Sequence, residues 1–210
     1  LGFVRDILIA AFMGAGPVAE AFLVAFALPN MFRRFFAEGA FNTAFVPLFS
    51  KKLEAGEEPG RFAQDAFSGL ATLLIGLTML AQVAMPWLVL AMAADFLGDE
   101  RFELAVLFGR IAFAYILFIS LAALLSGLLN ATGRFAAAAA APLLLNVILI
   151  GALILGESGV LRDVVTVDLP GVAGLEGLHH GTLLVWGTLI AGLAQMGLVW
   201  VAAARAGYRL

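Results

Sequence analysis

The chain has 210 residues, of which 63% are hydrophobic and 13% are charged, and its formal net charge at pH 7 is -3. A soluble domain is roughly half apolar and a quarter charged, so this composition and a mean hydropathy of +1.04 indicate an integral membrane protein. The chain has no cysteine, which excludes disulfides, a thiolate nucleophile and cysteine-ligated metal sites.

Hydrophobic segments along the chain are each predicted to be a membrane-embedded α-helix. In chain order they lie at residues 1–13, 17–53, about 62–94, 102–130, 135–155 and 182–204. The second segment contains Pro29, Gly39 and Pro47, which bend or interrupt helices. The first segment is shorter than the roughly 20 residues that a span requires, so we expect that the start of this helix is missing. Residues 156–181 are polar and glycine-rich, and are predicted to form a long outer loop.

The predicted fold class is therefore all-α: a polytopic transmembrane helix bundle of about six spans, in which residues 1–210 form a single lobe. Basic residues orient the bundle, because loops on the cytoplasmic side are enriched in lysine and arginine. With the N-terminal side inside, the inner loops hold Lys51, Lys52, Arg61, Arg134, Arg205 and Arg209, and the outer loops hold Arg101 and Arg162.

Two arginines lie at depths where a bare charge is costly. Helical rise places Arg5 about 12 Å and Arg33 about 20 Å from the predicted outer surface, within a hydrocarbon core of about 30 Å. Arg34 accompanies Arg33. The first two helices are joined by a short loop and must be antiparallel neighbours, so Arg5 and Arg33 are expected to approach each other. Two guanidiniums are favourable there when an anion joins them, and the arginine fork suits phosphate.

The nearby polar residues have competing interpretations. Arg34 and Glu38 are four apart on one helical face and are expected to pair structurally. Asp6 follows Arg5 directly, and adjacent residues do not face each other on a helix, so Asp6 is expected to serve another helix as a gating or charge-pairing residue.

Asn30 and Glu20 extend this set. Asn30 precedes Arg33 by three residues, shares its helical face and is expected to add a hydrogen bond to a ligand. Glu20 lies near the outer end of the second segment, where it is either an interfacial charge or an outer gate residue.

The remaining polar residues are interpreted structurally. Arg110 is expected to pair with Glu103 or Asp65, and the pair His179-His180 is expected to lie in a solvated loop. The glycines expected to permit close helix packing are Gly14, Gly16, Gly69, Gly76, Gly127 and Gly151. The sequence has no phosphate-binding glycine loop, nucleophile elbow or histidine–carboxylate set, so no enzymatic activity, metal or cofactor is predicted.

Two stretches carry a family resemblance. GFVRD at residues 2–6 and LPN-x-x-RR-x-x-AEGAF-x-x-AFVP at residues 28–47 closely resemble the MurJ (MviN) family of lipid II flippases. Further matches lie at residues 129–130, 134–135, 141–142 and 145–146, so that the resemblance covers most of the first 150 residues. The long loop and the last segment match in general character only.

The resemblance implies a place in the multidrug/oligosaccharidyl-lipid/polysaccharide exporter superfamily, whose members have two six-helix lobes around a central cavity. It implies that this chain is the N-terminal lobe, located in the bacterial inner membrane, and that the lobe alone does not transport. It further implies that Arg5 and Arg33, with Arg34, hold the diphosphate of lipid II, and that Glu20 is an important acidic position. The implied partners are lipid II, membrane lipids and a second lobe, with no nucleic acid.

Other hypotheses remain open at this point. The lobe is alternatively part of a flippase for another polyprenyl-diphosphate oligosaccharide or of a multidrug exporter, although a cation exporter requires acidic cavity residues that are scarce here. A non-transporting membrane scaffold, in which the arginines serve assembly only, is a third hypothesis.

Overall fold

The computed structural model describes residues 2–36, 40–158 and 175–208. Within these residues the chain is helical and contains no strand, which confirms the predicted fold class. The α-helices are α1 (Gly2–Met13), α2 (Pro17–Phe36), α3 (Ala40–Ala55), α4 (Pro59–Met92), α5 (Glu100–Ala131), α6 (Phe135–Glu157) and α7 (Leu178–Arg205), with a 3₁₀ turn at Ala94–Phe96. Glu38 and most of the expected outer loop lie outside the described residues.

The helix boundaries follow from local chemistry. α2 and α4 begin at prolines, whose fixed φ and missing N–H suit the first turn. α5 begins after Asp99, whose side chain accepts a hydrogen bond from the backbone N–H of Arg101 and so caps the helix. Between α5 and α6 the chain reverses at Gly133, where φ is 76°, a conformation that glycine adopts without steric cost.

The second hydrophobic segment forms two helices, α2 and α3. Pro29 and Pro47 lie inside these helices and do not end them. α2 ends at Phe36 and α3 begins at Ala40, and Gly39 lies outside the described residues, so within the described part neither proline interrupts a helix.

Four of the described helices, α4 to α7, are long and apolar enough to cross a membrane. The predicted count of about six adds α1 and the α2–α3 pair to these four. In the most apolar stretch of α5, 61% of the residues are buried, against 22% in α4 and 17% in α6. Since α5 packs against α2, α3, α4, α6 and α7, it is the central helix of the bundle and the others surround it.

Close helix packing uses glycines other than the expected ones. A Cβ at Gly181 would lie 2.7 Å from Val18 Cγ1, and a Cβ at Gly192 would lie 2.7 Å from the Tyr115 ring. By contrast, a Cβ would meet nothing within 4 Å at Gly14, Gly16, Gly69, Gly76 and Gly151. The expectation for those five glycines was therefore wrong, because glycine content alone does not reveal which face of a helix is buried.

Candidate substrate cavity

A cavity of about 520 Å³ opens between α1, α2, α5, α6 and α7. Its walls are mostly apolar and aromatic, with a few polar groups. The lining residues are Arg5, Asp6, Ile9, Phe22, Leu23, Phe26, Asn30, Tyr115, Leu145, Leu149 and Thr188. An apolar pocket with a small number of polar groups is typical of a ligand site.

Arg5 and Asp6 form an ion pair at the cavity wall. Arg5 Nη2 donates to Asp6 Oδ1 at 2.7 Å, and Arg5 Nε donates to the same oxygen at 2.9 Å. The Arg5 side chain is 25% exposed, whereas that of Asp6 is 62% exposed. The expectation that Asp6 serves another helix was wrong, since the long arginine stem bends sideways to reach the neighbouring carboxylate. Both side chains border the cavity. Within the described residues, Asp6 therefore neutralises the positive charge of Arg5 at the cavity wall.

Asn30 lines the same cavity as Arg5, which places two of the predicted binding residues together. Arg33 and Arg34 lie on the last turns of α2, but their side chains are outside the described part of the structure. Within the described residues α1 packs against α6 and α7 and not closely against α2, because the cavity lies between α1 and α2. The expectation that the first two helices are packed neighbours was therefore wrong. The predicted approach of Arg5 to Arg33 and the predicted Arg34–Glu38 pair stay predictions.

Glu20 belongs to an ion-pair cluster at the predicted outer end of the bundle. Arg101 Nη1 donates to Glu20 Oε2 at 2.6 Å, and Arg101 Nε donates to Asp99 Oδ2 at 2.6 Å. The same guanidinium lies 4.4 Å from the Phe96 ring centroid, a cation–π distance. The hydrogen bond from the Arg101 side chain lowers the pKa of Asp99 below its ordinary value. The cluster joins α2 to the start of α5, and the predicted roles of Glu20, an interfacial charge or an outer gate residue, stay predictions.

Two structural expectations were wrong. Arg110 pairs with neither Glu103 nor Asp65; its Nε donates to the Gln82 carbonyl oxygen at 3.2 Å. His179 and His180 do not lie in a loop but in the first turn of α7, where both are partly buried. The His180 ring stacks on Phe12 with centroids 5.5 Å apart, so aromatic packing against α1 draws it out of solvent.

Tyr115 and Thr188 line the cavity, although no sequence pattern selects them. The Thr188 hydroxyl donates to the Leu184 carbonyl oxygen at 2.8 Å, and both residues lie within apolar runs that are typical of a helix core. Similarly, Arg101 was assigned only to an outer loop, because its contact with Glu20 joins residues 81 positions apart. Within the described ranges, no three histidine, aspartate or glutamate side chains cluster as metal ligands.

A helical bundle with four membrane-length helices and an arginine at an internal cavity defines an integral membrane protein with a polar site between its helices. Comparison with known proteins specifies this class further. A family model described as "Lipid II flippase MurJ" matches residues 9–210. The chain therefore belongs to the lipid II flippase MurJ family.

Individual relatives agree with this assignment. A probable lipid II flippase MurJ of Rhizobium meliloti is 43% identical over 213 residues, covering 100% of this chain and 37% of that protein. The lipid II flippase MurJ of Burkholderia cenocepacia is 44% identical over 154 residues, covering 72% of this chain and 30% of that protein. The matched regions thus span 37% and 30% of the length of these two relatives.

A solved structure shares the fold. It is described as "Lipid II flippase MurJ, inward closed conformation" and superposes with a TM-score of 0.68 at 24% sequence identity. The match covers 94% of this chain and 39% of the solved chain. At that identity the likeness supports the fold alone, and it agrees with the predicted N-terminal lobe.

Proposed function

We propose that this chain is the N-terminal lobe of a flippase that moves lipid II, the undecaprenyl-diphosphate-linked peptidoglycan precursor, across the bacterial inner membrane by alternating access. Membership of the family and the names of the relatives support this substrate. Because the chain spans 37% of the Rhizobium meliloti relative, a second lobe is the proposed partner that completes the central cavity. No bond is made or broken, so the protein is a transporter and not an enzyme.

The observation that carries the proposal is Arg5 at the wall of a cavity between helices. A guanidinium in an apolar span is costly unless it is paired. Arg5 has a pair in Asp6, but both of its donating nitrogens go to a single carboxylate oxygen. A diphosphate carries more charge and more acceptor oxygens than one carboxylate, and charge-assisted hydrogen bonds are the strong ones. The diphosphate therefore displaces Asp6 from Arg5 when the headgroup enters.

Asn30 and the end of α2 extend the proposed grip. Helical spacing places position 33 one turn beyond Asn30 on the same side of α2, which lines the cavity at Phe22, Phe26 and Asn30. Arg33, accompanied by Arg34, is proposed as the second cationic contact. The headgroup stays in the cavity while the lipid tail remains in the bilayer. For the lipid to promote the change of access, it must bind the occluded state more tightly than the open states.

The test is charge reversal in the full-length protein. Arg5→Glu is expected to reduce lipid II flipping and lipid II binding by roughly 10- to 100-fold, because it removes a charge-assisted contact and adds repulsion. Arg61→Glu is the matched control, since Arg61 is a 74% exposed arginine at the start of α4, away from the cavity, and this variant should flip lipid II normally.

Unimpaired flipping by a folded Arg5→Glu protein would refute the grip. Equal binding of a cationic drug and of lipid II by the unaltered protein would favour an exporter. An Arg33→Ala variant that loses thermal stability in detergent but keeps its flipping rate per folded molecule would favour a scaffold role for that arginine.

A further inference from the structure

Arg110 and Gln82 form a reciprocal bridge between α5 and α4. Arg110 Nε donates to the Gln82 carbonyl oxygen at 3.2 Å, and Gln82 Nε2 donates to the Arg110 carbonyl oxygen at 2.8 Å. The bridge holds the arginine side chain against α4 while the rest of its guanidinium has no ion-pair partner among the described residues. Arg110 is exposed, although most of α5 is buried.

The side of α5 that bears Arg110 points away from the cavity. Tyr115 lines the cavity, and five residues of α-helix turn the side-chain direction by about 140°. Of the five helices that border the cavity, none is α4. Arg110 therefore cannot act in the cavity of this lobe. In a two-lobe transporter the second lobe lies across the cavity, so this opposite side faces lipid.

The exposed tryptophans near Arg110 indicate how deep in the membrane this arginine lies. Trp87 on α4 is 65% exposed and Trp186 on α7 is 43% exposed, and tryptophans at bilayer interfaces form such belts. Arg110 is ten residues after Glu100 and so lies about 15 Å along α5 from its predicted outer end. Trp87 lies five residues, or about 7 Å, further out along α4 than Gln82, the bridge partner of Arg110. Helical side chains point back toward the N-terminus, which here is outward. Arginines near helix ends extend toward the headgroups in this way.

Among the described residues no carboxylate pairs with Arg110, and its exposed neighbours on α4 are apolar. Beside Gln82, the α4 residues Met79 and Val83 are each 68% exposed and form a surface for acyl chains. Glu103 is on the same side of α5 but lies two turns, or about 10 Å, nearer the outer end, beyond the distance of an ion pair. A cation at this depth, at the edge of an apolar face, is stabilised by an anion, and a membrane lipid supplies that anion.

We infer that Arg110 and the exposed face of α4 form a binding site for one outer-leaflet phospholipid. The guanidinium N–H groups left free by Gln82 bind the lipid phosphate, and an acyl chain lies along Met79 and Val83. The Gln82 bridge fixes the guanidinium at the groove. The inference depends on the proposed function only for the outward direction of α5 and the position of the second lobe.

The experiment titrates the full-length protein in detergent with phosphatidylglycerol and, separately, with diacylglycerol of the same chains, which lacks the phosphate. Bound lipid is counted by native mass spectrometry. The unaltered protein is expected to bind one phosphatidylglycerol at least about ten-fold more tightly than diacylglycerol, because the contact to phosphate is charge-assisted. Arg110→Gln should abolish this preference, and Arg110→Lys should restore part of it. Lipid II flipping by Arg5→Glu tests the cavity separately.

The site would be disproved by an unchanged phosphatidylglycerol preference in Arg110→Gln. It would also be disproved if the unaltered protein showed no preference, as expected if the second lobe covers Arg110. An equal loss of affinity for both lipids would assign Arg110 to helix packing only. Lost flipping with normal lipid preference in Arg5→Glu would support the cavity proposal and leave the lipid site intact, so the two proposals fail independently.

Discussion

At the scale of single residues, Arg101 serves two carboxylates at once. Its Nη1 binds Glu20 on α2, its Nε binds Asp99 at the start of α5, and its guanidinium lies on the Phe96 ring. Since the Arg101 side chain is only 24% exposed, water competes weakly for these contacts. Arg101 thus fixes the outer end of α2, the helix whose other end carries the proposed phosphate contact.

We predict that this cluster shows non-additive effects on stability. Arg101→Gln should lower the Tm of the full-length protein in detergent by about 2 °C or more, and Glu20→Gln by less, because Asp99 remains paired. The double variant should equal Arg101→Gln alone, since the two residues share one interaction.

The control for this cycle is the exposed pair of Arg61 and Glu58, whose charged atoms lie 3.6 Å apart. Neutralising either partner of that pair should leave Tm unchanged. Additive losses in the double variant of Glu20 and Arg101 would show that the two side chains are not energetically coupled.

Some contacts of single residues could be predicted from the sequence and others could not. Helical depth correctly selected Arg5 as a residue at an internal cavity, because rise per residue needs no tertiary information. The partner of Arg5 was missed, since Asp6 is adjacent in sequence and the spacing rule for helix faces neglects the reach of a flexible side chain. The partners of Glu20 and Arg110 are 81 and 28 residues away, and local spacing carries no information about them.

At the scale of helices, Gly181 lies at a close contact of α7 with α2 and α5. A Cβ there would lie 2.7 Å from Val18 Cγ1 and 3.3 Å from the Phe108 ring. Val18 and Phe108 are both fully buried, so neither side chain has free space into which it can move.

We predict that Gly181→Ala destabilises the protein by about 1–3 kcal/mol, the usual cost of overpacking a well-packed core. Gly76→Ala is the matched control, because a Cβ at Gly76 meets nothing within 4 Å and alanine favours the helix. Unfolding of both variants by heat or denaturant in the same detergent provides the comparison. Equal stability of the two variants would show that α7 does not approach α2 this closely.

The existence of the helices was predictable, but their packing was not. Hydropathy, together with the prolines and glycines near the ends of the apolar runs, located α4 to α7 to within a few residues. Long apolar runs that cross a membrane can form few structures other than a helix. The second segment was harder, because Pro29 and Pro47 are tolerated within α2 and α3. The choice of packing glycines depends on which faces meet, and that is decided by the tertiary arrangement.

At the scale of the whole molecule, the orientation of the bundle in the membrane rests on its basic residues. The sequence contains no cysteine, so a single introduced cysteine reports one position without background. Ala55 ends α3 and Leu97 lies between α4 and α5, and both are exposed.

We predict that, in intact cells, a membrane-impermeant maleimide labels Leu97→Cys in the full-length protein but labels Ala55→Cys only after the cells are opened. Positive-inside loops place position 55 in the cytoplasm and position 97 outside. The reverse pattern would invert the bundle and place Arg110 toward the inner leaflet. Labelling of both positions after permeabilisation controls for accessibility of the thiols.

The enclosure of α5 by five other helices has a mechanical consequence. Sliding of α2, α3, α4, α6 or α7 along the bundle would have to separate side chains that pack against the central helix, whereas tilting the bundle as one body leaves these contacts in place. We therefore expect distances between helices of this lobe to stay constant through a transport cycle. If the chain is one lobe of the proposed two-lobe flippase, we expect the movement of the transport cycle to take place at the boundary between the lobes.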